Sequence, residues 1–406
     1  MSLHETAPVL QGDRVRQIDI IRGFALLGIL LANMPFFATP FVYNMLLDVS
    51  LFTDQASRAA EWAIAFFASS KFFTMFSFLF GIGFILFLKR AEEKTDRPGS
   101  LFARRLFFLL AIGIIHAFGI WFGDILIIYA LTGFVLLLFY RSKAKTCLIW
   151  AFALLGVPAV FLFLGTLALY LSGETFANPA ETQRFYMEMA ENSMAAYGSG
   201  SFGEIMTQRT ADYWFMFSNY LFMAPMILAM FLFGVYAAKT EKHTRIQENL
   251  PFFRKVWAGS LIIGLPFNFV YVNSYTAEGA ELSHHSLLQV AATMIAGPAL
   301  CFFYITSLIL LHQTVAGKRL LSPLGAVGRM ALSNYLVQSV VCTLIFYNYG
   351  LGLYGEVGPV YWIVIAFVLF ALQIVISNWW VQRFRFGPAE WFWRSLTYGK
   401  KQPFKN

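Results

Sequence analysis

The feature that most restricts this chain is a succession of apolar stretches, each long enough to cross about 30 Å of hydrocarbon as a helix. Ten of them run approximately over 18–38, 67–88, 105–122, 124–140, 146–171, 214–238, 255–275, 287–311, 330–348 and 358–382. The third and fourth are short and separated only by Phe122 and Gly123, which suits a tight helical hairpin at one membrane surface. Composition agrees: 58% of the residues are hydrophobic, only 13% are charged, and the mean hydropathy is +0.63. A soluble domain carries roughly twice that charged fraction. The expected fold is all-α: a polytopic membrane helical bundle of about ten transmembrane helices, forming one integral domain over residues 1–406.

Loop charge tests the count independently. With alternate loops cytoplasmic, the outer segments hold only Arg58, Arg184 and Arg209, and Arg22 and Lys71 lie at membrane depth. Every other one of the 30 basic residues falls inside, including Arg14, Lys94, Arg104 and Arg105. A miscounted span would invert every later loop, so this separation supports ten spans with both termini cytoplasmic. The net charge of +8 then reflects topology and anionic lipid. Membrane lipids are expected partners and nucleic acid is not.

The N-terminal run lacks a signal-peptide layout, so the first span is expected to stay. Cys147, Cys301 and Cys342 lie within spans and have no ligand spacing. Neither disulfides, nor a metal, nor a tightly bound cofactor is expected. Residues 172–213 form the one long outer loop, carrying Glu174, Glu181, Glu188, Glu191, Glu204 and Asp212. Phe185, Tyr186 and Met189 recur there at helical spacing, which predicts an amphipathic helix on the outer surface, followed by a Gly/Ser hinge at 198–203. A lid and a connector resting on headgroups are both open readings. The basic tail, 383–406, holds Trp391 and Trp393 as interfacial aromatics, with Glu390 and Arg394 one turn apart.

Polar residues inside the spans carry the functional question. In "RQIDIIRGFALLGILLAN", Asp19 and Arg22 sit one turn apart, and Asn33 follows Arg22 by eleven residues, on the same face about 16 Å further along. Ionisable groups at membrane depth are costly unless paired or lining a cavity. In "GIIHAFGIWFGDILIIYALTG", His116 lies in the third span and Asp124 opens the fourth. Together they suit a general base and the carboxylate that orients it, although Asp124 also reads as a helix cap and His116 as an interhelical hydrogen-bonding residue. Asn334 with Gln338, and Gln373 with Ser377, make polar stripes in the last two spans, and Lys71 adds a charge near the start of the second. Interhelical hydrogen bonding accounts for the amides.

The segments "RQIDIIRGFALLGILLAN", "KFFTMFSFLFGIGF", "RRLFFLLAIGIIHAFGIWFGDILIIYALTG", "GRMALSNYLVQS" and "FRFGPAEWFWRSLTYG" resemble, in order, the blocks of the YeiB-like bacterial membrane proteins, the domain of unknown function 418. That resemblance implies a multi-pass protein of the bacterial inner membrane. In its first span the chain is also similar to membrane acyltransferases of the acyltransferase-3 and heparan-glucosaminide N-acetyltransferase types. Arg22 matches the arginine of the first group, whereas Asn33 stands where that group has histidine. The second group has asparagine there and a histidine in the following loop, but residues 34–115 contain no histidine.

The implied chemistry is acyl transfer from an acyl-CoA to an acceptor hydroxyl or amine. Arg104, Arg105 and Arg22 would hold the donor, His116 would be the base with Asp124 behind it, and Asn33 or Gln338 would face the oxyanion. Asp19, Lys71 and Asn334 complete the set of candidate binding residues. Two other classes stay open: a transporter using the same charged residues as a relay, and a lipid- or protein-binding scaffold.

Overall fold

The computed structural model describes residues 16–47, 49–93, 95–173, 180–242, 244–275 and 284–406; Arg14, Lys94 and Glu174 lie outside them, as does the stretch before the first span. These residues fold into sixteen α-helices. In chain order they are α1 (Arg16–Ala38), α2 (Phe41–Leu47), α3 (Gln55–Phe67), α4 (Lys71–Glu92), α5 (Pro98–Gly119), α6 (Leu126–Leu136), α7 (Ala144–Ser172) and α8 (Ala180–Ser199). There follow α9 (Phe202–Lys239), α10 (Leu250–Tyr275), α11 (His284–Leu311), α12 (Val315–Leu321), α13 (Leu324–Arg329), α14 (Ala331–Phe346), α15 (Pro359–Val381) and α16 (Pro388–Tyr398). The protein is an all-α polytopic bundle.

Eight helical segments among the described residues are long and apolar enough to cross a membrane. The other two apolar stretches form shorter helices, Leu126–Phe139 and Ala331–Phe346, which rise only about 21 and 24 Å. Residues 120–125 join α5 to α6 in a turn where Trp121, Phe122 and Asp124 are buried by protein. Irregular backbone at depth is tolerated when protein covers it.

The outward faces of α7, α10 and α15 carry Phe161, Leu171, Ile262, Val368 and Val375, all exposed. An apolar surface this extensive belongs against lipid. The centre is α1, and its packing is set by glycine: a Cβ on Gly328 would lie 1.8 Å from the Asp19 carbonyl oxygen. Backbone therefore touches backbone where α13 crosses α1, beside Asp19 and Arg22.

Two expectations about the periphery change. On α8 the buried residues are Ser193, Ala196 and Tyr197, while Phe185 is exposed, so its C-terminal end docks into the bundle. The Gly/Ser stretch ends in a capped corner, because Ser201 and Glu204 exchange bonds as a capping box at the start of α9. The tail does more than rest at an interface. Glu390 of α16 accepts from the Leu332 and Ser333 backbone N–H groups (2.6 and 3.1 Å) and from Ser333 Oγ (2.5 Å), capping α14 across 58 residues of chain.

Candidate functional site

A cavity of about 540 Å³ opens at the end of the bundle where α1, α5, α13 and α16 meet. Five guanidinium groups line it, Arg22, Arg90, Arg105, Arg329 and Arg394, against the carboxylates of Asp19 and Glu390. Arg22 Nη1 donates to Asp19 Oδ1 at 3.3 Å, so the two charges at the head of α1 pair one turn apart. Arg105 stacks on Trp393 with 3.7 Å between guanidinium carbon and ring centre, which fixes a charge from α5 against the tail helix. Burial pushes the Glu390 carboxyl up from its ordinary value, while the bonds from Ser333 and Leu332 pull it down and only partly offset that. Deeper in, the walls become apolar and aromatic, with Leu26, Phe80, Leu109, Leu126, Tyr129 and Tyr335. The cavity has an anion-attracting mouth and a greasy interior.

Behind its inner wall lies a buried hydrogen-bonded chain. His116 Nδ1 meets Asp124 Oδ2 at 2.8 Å, and His116 Nε2 meets Ser339 Oγ at 2.9 Å. All three side chains are closed to solvent. An ionised carboxylate only accepts, so Nδ1 carries the proton and Nε2 is the acceptor for the serine hydroxyl. Asp124 Oδ1 accepts from the Ile127 N–H at 2.8 Å, so one carboxylate both caps the start of α6 and orients the imidazole. Gly113 makes this possible. A Cβ there would lie 2.9 Å from Ile127 and 3.1 Å from Asp124 Oδ1, so only glycine lets α6 come this close to α5.

Tyr335 separates chain and cavity. It lines the cavity, sits one turn before Ser339 on α14, and its ring centre is 5.0 Å from that of His116. Its hydroxyl donates to the Gly123 carbonyl at 3.2 Å, in the buried loop beside Asp124.

The remaining predicted residues scatter. Arg104 is exposed, 5.8 Å above the Phe108 ring, and does not line the cavity. Asn33 is half-buried and away from it. Lys71 is fully buried and donates to the Ala65 carbonyl at 2.9 Å, closing the end of α3 at its junction with α4. Asn334 and Gln338 join α14 to α15: Gln338 Nε2 donates to Gln373 Oε1 (2.9 Å), Gln373 Nε2 to the Asn334 carbonyl (2.9 Å) and Asn334 Nδ2 to Ser377 Oγ (3.0 Å). The amide stripes pair with each other, which leaves Gln338 aimed at a neighbouring helix rather than at an oxyanion. Among the described residues no group of three or more His, Cys, Asp or Glu is placed to hold a metal ion.

The sequence profile of the family described as Protein of unknown function (DUF418) matches residues 237–400. The uncharacterized protein YxaH of Bacillus subtilis (strain 168) is 38% identical over 98% of this chain and 97% of its own length. This chain belongs to the DUF418 family. An uncharacterized 39.9 kDa protein from the amylase 3' region of Bacillus acidopullulyticus is 26% identical over 98% of this chain and 97% of its own. YeiB of Escherichia coli (strain K12), also uncharacterized, is 27% identical over 94% and 95%. No solved structure matches. The profile covers the part of this DUF418 protein that supplies Arg329, Ser339, Glu390 and Arg394, whereas Arg22, Arg105, His116 and Asp124 precede it.

Ser339, Tyr335, Glu390, Arg90, Arg329 and Arg394 are site residues that sequence reasoning leaves out of the site. The arginines read as loop or tail charges; the docking of α13 and α16 brings Arg329 and Arg394 to the cavity, and Arg90 reaches it from the last turn of α4. Ser339 carries no signal at all, because a serine in an apolar span ordinarily bonds its own helix. Its Oγ also lies 3.3 Å from the Tyr335 carbonyl, a competing acceptor for the single hydroxyl hydrogen that the shorter contact gives to His116 Nε2.

Proposed function

We propose that this DUF418 protein is an acyltransferase of the bacterial inner membrane that takes its acyl group from an acyl-CoA-type donor on the cytoplasmic side. The observation that carries the reading is the juxtaposition of the arginine-mouthed, apolar-walled cavity with the Ser339–His116–Asp124 chain directly behind Tyr335. The basic segments of the chain gather at the cavity end, which supports a cytoplasmic mouth. A phosphorylated thioester has two chemically different ends, and the cavity offers a separate environment for each. The guanidinium groups suit the phosphates, and the apolar wall suits the acyl arm.

The reaction then follows from the tautomer. His116 Nε2 takes a proton from an attacking hydroxyl or amine, and Asp124 stabilises the imidazolium. The attacking atom bonds to the thioester carbonyl carbon, the C–S bond breaks, and the thiolate leaves with the proton from His116. Two routes share this base. In one, Ser339 Oγ attacks first and the acyl group passes from it to the acceptor; in the other, the acceptor displaces Ser339 and attacks directly. Either route needs Tyr335 to swing aside, since its ring lines the wall between donor and base.

Binding of acetyl- and longer-chain CoA to the protein in lipid nanodiscs, with thiol release followed alongside, tests this reading. Saturable binding weakened by Arg105→Gln, and release abolished by His116→Ala, is the expected result. Absence of donor binding to the wild type sinks it. A carrier reading draws on one observation, that buried polar groups occupy both ends of the bundle with His116 between them. Flux of a labelled solute across proteoliposomes without thiol release would favour it.

A further inference from the structure

On its α4 side the arginine cavity is walled by one stripe of residues at alternating spacings of four and three: Phe76, Phe80, Gly83, Phe87 and Arg90. Gly83 interrupts this stripe of large side chains. It does so in the middle of a spanning helix, where glycine is the least favoured residue after proline. Packing does not account for it. On the same helix Gly81 is required by a close crossing, since a Cβ there would lie 1.9 Å from the Phe231 carbonyl oxygen of α9. A Cβ on Gly83 would meet only Arg22 Nη2 within 4 Å, at 3.7 Å, an ordinary contact. Gly156 of α7 is equally open, but it is exposed on the outside of the bundle, whereas Gly83 borders the cavity.

The gap is held open by its neighbours. Phe80 stacks on Phe231 with ring centres 4.5 Å apart, and Phe87 meets the Phe102 ring at 5.4 Å and the Arg105 guanidinium at 5.3 Å. Each flanking ring is anchored, so neither falls into the space beside Gly83. Along α4, Arg90 lies seven residues toward the mouth and Phe76 seven residues deeper, each about 10 Å away. Gly83 and Arg22 therefore mark the level at which the basic mouth gives way to apolar wall. The two tyrosines of that wall turn their hydroxyls away, Tyr129 donating to the Phe73 carbonyl (2.5 Å) and Tyr335 to the Gly123 carbonyl (3.2 Å). A group that crosses this level is uncharged and slender, and lies close against helix backbone.

We propose that the groove over Gly83 takes the unbranched arm that joins the phosphates to the thioester in a coenzyme A-type donor, and that Gly83 is the specificity-determining residue that admits it. Naming the arm rests on the acyltransferase reading; the gap in the stripe does not. A side chain at this position narrows the passage while leaving Arg90, Arg105 and Arg394 in place at the mouth.

The probes are coenzyme A and adenosine 3',5'-bisphosphate, which carries phosphates without the arm, titrated onto the full chain in zwitterionic nanodiscs. Gly83→Leu is expected to weaken coenzyme A binding about tenfold or more and to leave the bisphosphate within about twofold. Gly83→Ala, whose methyl has room and favours the helix, is expected to raise the melting temperature and still weaken coenzyme A about threefold. A glycine with no part in binding gives the rise in melting temperature alone. Equal coenzyme A affinity in wild type and Gly83→Leu, or a parallel loss of both probes, overturns the proposal and leaves the acyltransferase reading standing. If Gly83→Leu does not fold, unchanged coenzyme A affinity in Gly83→Ala overturns it. Coenzyme A bound by the wild type with no bisphosphate bound does so too, because the mouth then does not hold the phosphates apart from the arm. No coenzyme A bound by the wild type removes both the proposal and the reading beneath it.

Discussion

The two ends of the bundle solve the same problem, charge inside a membrane protein, in opposite ways. At one end five arginines face a volume of about 540 Å³ with two carboxylates among them. At the other, a single buried carboxylate is wrapped by three neutral donors, and the free space is about 10 Å³. The roomy end keeps its cations at a cavity surface, where water or a ligand reaches them. The tight end spends its hydrogen bonds internally and leaves only a few donors unmatched. A ligand entering the first is recognised by charge, whereas the second has room for about one water.

The sharpest way to break this contrast is to remove the chain between the ends. His116→Ala is expected to lower acyl transfer by about 10³-fold or more with donor affinity unchanged, and Asp124→Asn to approach it by disturbing the tautomer. Ser339→Ala measured beside them separates the routes: a loss as deep as that of His116→Ala marks an acyl-serine, and a shallow loss marks a serine that gives way to the acceptor. Next in size is the charge at the mouth. Arg105→Gln and Arg394→Gln should each weaken coenzyme A binding by roughly 10-fold or more, and added salt should compress the difference. Arg209→Gln, at the tight end, should leave that affinity alone.

Smaller effects sharpen the packing side of the comparison. Gly113→Ala places a methyl against Ile127 and Asp124, and overpacking of this kind is expected to destabilise by about 1–3 kcal/mol, read as a lower melting temperature in detergent. Glu390 gives the smallest effect and a definite sign. Its carboxyl titrates above its ordinary value in the folded protein, so the folded state holds a proton that the unfolded state has already lost. Stability from this group is full below the ordinary carboxylate range and is lost as pH rises through the raised value. The difference in melting temperature between wild type and Glu390→Gln, followed from pH 4 to 8, should therefore move against the wild type as pH rises.

Much of the frame is legible in the sequence because hydropathy and loop charge are local properties. Each of the ten apolar stretches is a helix. The pairing of Asp19 with Arg22 and of His116 with Asp124 is also within reach of sequence, since one turn or one short loop separates the partners. What sequence conceals is the product of long-range docking. Glu390 caps a helix 58 residues away, Ser339 meets His116 across 223 residues, and the tail arginine Arg394 becomes a cavity wall. The shortness of α6 escapes for a related reason. Its apolar run begins in the loop that holds buried Trp121 and Phe122, so hydropathy does not distinguish the helix from the backbone that protein covers.

The central claim is that donor binding at the arginine cavity and chemistry at His116 are separable parts of one reaction. The measurement that tests it most directly is thiol release from a bound acyl-CoA in nanodiscs, comparing wild type with His116→Ala at saturating donor. The account predicts equal donor binding in both and release in the wild type only. Release at the wild-type rate by His116→Ala, or no donor bound by either protein, would contradict it.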